Sequence, residues 1–129
     1  MDRRSFLKTL GAASLLAVLP GCVRSRSPIL VSACTDNLNQ HYAAAITPEG
    51  ELVSKIALPG RAHEIVALPD KPGQALVFAR RSGSYLLQVD FFSGQLLQQT
   101  QADEGRHFYG HGCLSADQNY LFCSENDYV

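Results

Sequence analysis

The sequence contains no glycine-rich phosphate loop, no G-x-S-x-G and no H-E-x-x-H. The sequence marks of a P-loop nucleotide hydrolase, of a serine hydrolase with a nucleophile elbow and of a zincin protease are therefore missing. Positive charge is scarce too. Beyond residue 21 the chain carries 8 basic and 11 acidic residues, whereas nucleic-acid binders show a basic patch. Nucleic acid is excluded as a partner on that ground. Cys22, Cys34, Cys113 and Cys123 are few and widely spaced, and form neither a zinc ribbon nor a C-x-x-C redox pair. The apolar run at 10–19 is too short to span a bilayer, because a helix rises ~1.5 Å per residue and the hydrocarbon core is ~30 Å thick. No segment beyond it shows helical periodicity.

What is present begins with a leader. Arg3, Arg4 and Lys8 precede the apolar run, and small residues follow it. A positive end, a short apolar middle and small residues near a cleavage point make an export signal. Arg3-Arg4-Ser5-Phe6-Leu7-Lys8 resembles the twin-arginine signal, with Asp2 where the consensus has Ser or Thr. That resemblance implies passage through the twin-arginine translocase, which carries folded proteins. Leu19-Pro20-Gly21-Cys22 looks like a lipobox, although Pro20 is unusual there. Cys22 is then the lipidated residue, and its chains hold the protein to a membrane at ~0.8 kcal/mol per buried CH₂. A soluble periplasmic protein is the alternative. The expected organisation is a signal peptide at 1–21, a tether at 22–28 and one domain at 29–129. The chain stops at Ser-Glu-Asn-Asp-Tyr-Val, inside what reads as a strand, so it is expected to be part of a longer protein.

The mature part reads as all-β. Short β-prone runs alternate with turn residues every 8 to 12 positions, as in a sandwich, barrel or propeller. Strands are predicted at 29–35, 41–47, 52–58, 64–68, 75–80, 84–91, 95–101, 112–115 and 120–125. Pro48-Glu49-Gly50 and the tight pair Ser93-Gly94 are among the turns between them. A repeat is visible. The segments that begin at His63 and His111, 48 residues apart, both read as His, an apolar strand, a turn containing Asp and a second apolar strand. With two strands between them, one unit has four antiparallel strands, the size of one propeller blade. About two and a half such blades are expected, the N-terminal fragment of a β-propeller.

Gly-Arg-Ala-His-Glu-Ile-Val-Ala-Leu-Pro from Gly60, the segment 75–97 and the segment 106–128 together resemble domain-of-unknown-function family 1513, in its N-terminal part. The resemblance implies a periplasmic propeller of the YVTN or quinoprotein-amine-dehydrogenase type, several hundred residues long, whose activity is not established.

The candidate site residues are His63, His107 and His111, with Glu64, Arg61 and Arg106. In a propeller, His63 and His111 approach one mouth of the central channel. Imidazole with carboxylate suits a transition metal, and Glu64, Glu125 and Asp127 are expected to lie nearby in the fold. Against this, Gly110-His111 resembles the Gly-His dipeptide of WD-repeat blades, whose histidine hydrogen-bonds within its own blade. Arg61, Arg80, Arg81 and Arg106 fall at strand ends. They either bind a carboxylate or phosphate or pair with Asp and Glu. Cys113 and Cys123 are expected as small buried residues, with a disulfide across their hairpin as the other reading. Phe91, Phe92, Phe108 and Tyr109 are expected to pack between blades. No catalytic residue is assigned. The leading expectation is a periplasmic propeller that binds a ligand or a protein partner. The rival is a metal-dependent or redox enzyme with its site at the channel mouth.

Overall fold

The computed structural model describes residues 27–127. The leader residues Arg3, Arg4, Phe6, Leu7 and Lys8, and the lipobox Cys22, lie outside the described residues. Among the described residues there are nine strands and no helix. The strands are β1 (Leu30–Thr35), β2 (His41–Ile46), β3 (Leu52–Leu58), β4 (Ala62–Ala67), β5 (Gln74–Ala79), β6 (Tyr85–Asp90), β7 (Gln95–Gln101), β8 (Arg106–Leu114) and β9 (Leu121–Asp127).

They form three antiparallel sheets in chain order, β1-β2-β3, β4-β5-β6-β7 and β8-β9. Within each sheet every strand pairs with its sequence neighbour, while the chain passes from one sheet to the next between β3 and β4 and between β7 and β8. The architecture is all-β and consistent with consecutive units of a partial β-propeller. Turn chemistry sets the joins. Gly50, at φ +92°, donates its N–H to Thr47 O at 3.0 Å. The β6–β7 turn is longer than a Ser93-Gly94 pair, because Asp90 faces Gln95 across a four-residue loop. The Asp90 carboxylate holds that loop by accepting from the Phe92 and Ser93 N–H groups at 2.8 and 3.2 Å.

The two inner strands of the second sheet, β5 and β6, are largely buried on both faces, which explains their near-continuous apolar runs. Along β5, side chains alternate between sides. Ala75, Val77 and Ala79 turn to the first sheet, where they meet Ala43, Ala45 and Ile56. Phe78 turns the other way and packs with Leu86 and Phe108, with Leu76 and Leu121 beside them. Gly112 of β8 lies flat on this ring, since a Cβ there would overlap Phe78. Phe91 and Phe108 are buried as expected, whereas Tyr109 is 43% exposed and lies under the Arg81 guanidinium, 5.7 Å from its ring centre. β7 is exposed along its whole length.

The cysteines depart from expectation. Cys113 and Cys123 are free thiols on exposed residues, not buried core. The register pairs Gly112 with Cys123 and Cys113 with Phe122. The two cysteines are therefore one step out of phase and point to opposite faces of the hairpin, which rules out a bridge between them. β8 also begins at Arg106 rather than at 112, because the segment before Gly110 pairs with the end of β9.

Candidate functional site

Two irregularities, one near the start of β4 and one in the middle of β8, create the site. In β4 the register passes from Ala62↔Ala79 to Glu64↔Phe78, so His63 is an extra residue pushed out of the ladder. Such bulges re-aim a side chain. In β8 the register passes from Phe108↔Glu125 to Gly112↔Cys123, and Tyr109, Gly110 and His111 face Ser124 alone. Gly110 sits at φ +93°, and a Cβ there would come within 2.9 Å of the His63 ring. Glycine supplies both the left-handed backbone and the space.

The two histidines meet as a result. Their Nε2 atoms are 3.2 Å apart. The rings stand edge to face, with centroids 4.6 Å apart and planes at 83°. Glu64 closes the group from behind. Its Oε2 accepts from the Gly112 N–H at 3.0 Å and lies 3.5 Å from His111 Nδ1. A carboxylate at Nδ1 favours the tautomer with its proton there, which leaves the Nε2 lone pair free to point at His63. His111 is thus an exposed side chain that reaches to the neighbouring sheet, rather than a buried histidine bonded within its own unit.

Three hydrogen bonds join equivalent places on β4 and β8, each spanning 48 residues. They are His63–His111, Gly112 N–H to Glu64 and, beyond the other end of the strands, Gln118 Nε2 donating to Asp70 Oδ2 at 2.8 Å. β4 and β8 therefore lie side by side where their sheets meet, and the histidine pair sits at that junction.

Between β1 and β4 lies a cavity of about 460 Å³. Arg61, His63 and Arg80 line it from the second sheet, and Ser32, Cys34 and Thr35 from the first. No acidic side chain lines it. The Arg80 N–H donates to Arg61 O at 2.7 Å, which sets the two arginines side by side. Neither makes an ion pair among the described residues.

The structure therefore brings together His63, His111 and Glu64, with Arg61 and Arg80 alongside. Arg106 is held elsewhere, 3.2 Å from Asp127 and 3.7 Å from Glu125 on β9. His107 is half-buried earlier in β8, opposite Asn126. Among the described residues no three His, Cys, Asp or Glu side chains form a ready metal cage. Partial burial, and then Glu125, push the Cys123 thiol up. That keeps it protonated, a poor ligand and a poor nucleophile. Sequence reasoning missed Ser32, Cys34 and Thr35 as lining residues. Their signal is the run of small polar side chains in β1.

Residues 56–129 match the family described as Protein of unknown function (DUF1513). No curated protein and no solved structure matches the chain.

Proposed function

The chain belongs to the DUF1513 family of proteins of unknown function, and on that footing we propose that it is part of an exported periplasmic β-propeller that binds a small anionic ligand and performs no catalysis of its own. The leader is what supports this place: in this reading Arg3 and Arg4 direct the folded protein to the twin-arginine translocase, and Cys22 anchors it to the membrane. One observation carries the binding role. The cavity between β1 and β4 holds two arginines with no acidic partner. A guanidinium is always charged and offers a planar fork of donors that matches carboxylate or phosphate. Ser32 and Thr35 of β1 stand at the opposite wall, where the Thr35 hydroxyl is hydrogen-bonded to His41 Nδ1 at 2.9 Å.

The test is a thermal-shift series on the mature chain at low ionic strength with mono- and dicarboxylates and inorganic phosphate. At least one anion should raise Tm, since a ligand that binds only the folded state stabilises it by RT ln(1 + [L]/Kd). The doubly substituted Arg61→Gln, Arg80→Gln chain should lose the response. A response of equal size in the double variant, or no response to any anion in the parent, would reject the binding role. The second reading, a metal-dependent or redox enzyme, is favoured by one contact only, the imidazole pair.

A further inference from the structure

We propose that His63 and His111 form a two-imidazole site for a divalent transition-metal ion, with Glu64 as the residue that orients it. This goes beyond anion binding and does not rest on it. Two nitrogens that each lie ~2.0–2.1 Å from one ion at a tetrahedral angle stand ~3.3 Å apart. The two Nε2 atoms are 3.2 Å apart without an ion. The separation matches that of two ligands of one ion, and the ion would take the place of the proton that the two nitrogens share, which moves to His63 Nδ1 or to solvent.

Three features make this a built arrangement rather than a chance approach of two surface rings. The bulge in β4 and the kink in β8 each depart from the regular ladder at the histidine itself. Gly110 leaves the space in which the His63 ring lies. Glu64 Oε2 is fixed by the Gly112 N–H and stands behind His111 Nδ1, as outer-shell carboxylates stand behind metal-bound imidazoles. Imidazole suits Zn, Cu, Ni and Fe and discriminates against Mg and Ca. The charged groups nearby are Glu64, which favours a cation, and Arg61 and Arg80 beside His63, which oppose one. Waters or an anionic co-ligand fill the remaining positions of the ion and offset the two arginines.

The test titrates Zn²⁺ calorimetrically into the reduced mature chain and repeats the titration with Co²⁺, followed by absorption. One ion should bind per chain. Co²⁺ should give a visible band without the near-ultraviolet thiolate charge transfer. His63→Ala and His111→Ala should each weaken Zn²⁺ at least tenfold, and the double substitution should abolish specific binding. Glu64→Gln should weaken Zn²⁺ by ~10–100-fold, the range for outer-shell partners. It should also change the pH profile of binding, which a merely structural residue would leave alone. Cys113→Ser with Cys123→Ser should bind as the parent does. Because His63 and His111 are exposed, the variants should keep the parent's circular dichroism and its Tm in chelator, so lost binding is not lost folding. Thiolate bands with Co²⁺, unchanged Zn²⁺ affinity in the histidine double variant, or no binding to the parent would each overturn the site.

Discussion

Tyr85 shows how much one hydroxyl contributes at a sheet junction. Its ring is buried, and its OH donates to Gly60 O at 2.7 Å. Removing the hydroxyl in Tyr85→Phe leaves that carbonyl without its donor, at a cost of ~1–3 kcal/mol. Equilibrium urea unfolding at neutral pH measures the loss. Burial also pushes the phenol up to about 12 from its ordinary 10. The folded state therefore holds the proton more tightly than the unfolded chain. The stability this contributes is whole below pH 10 and disappears as pH rises towards 12. Unfolding midpoints should fall over that window in the parent and less steeply in Tyr85→Phe. Equal slopes would mean that the phenol does not carry the alkaline loss. At this scale the sequence was informative about identity and silent about direction. The 48-residue repeat singled out His63 and His111. That they face each other depends on a bulge and on Gly110, which no periodicity marks.

At the level of elements, β5 is the strand on which the other sheets depend. Phe78 is fully buried and packs against β8, where Gly112 makes room for it. Phe78→Ala should cost ~3–5 kcal/mol, the range for truncating a buried Phe. The smaller change Phe78→Leu should act locally and speed amide hydrogen exchange in β8 and β9 before β1 to β3. Uniform acceleration would show that the third sheet is not held mainly by this contact. The strands were legible in the sequence because turn residues bound nearly all of them. Two starts were not. β4 opens at Ala62 and β8 at Arg106, because pairing with β5 and β9 extends them past the apolar residues that a pattern can detect. The faces of the hairpin were also hidden, since a one-step difference in register sends Cys113 and Cys123 to opposite sides.

For the whole molecule, the repeat length was the most informative quantity in the sequence, because the 48-residue spacing reappears as contacts between equivalent residues. Place is a matter for the cell. Replacing Arg3 and Arg4 together by Lys should leave precursor in the cytoplasm, scored by fractionation. Arrival in the periplasm of a strain without the folded-protein translocase would refute that route. Labelled palmitate should enter the parent and be absent from Cys22→Ser. The covering of β5 on both sides carries a consequence for how the chain tolerates change. In a saturation mutagenesis scan, β5 should accept polar residues at almost no position, with no alternation along 75–79, because both its faces are interior. β7, exposed throughout, should accept them almost everywhere. The two strands lie in one sheet with only β6 between them, so substitution tolerance should rise steeply across a single layer, from β5 to β7.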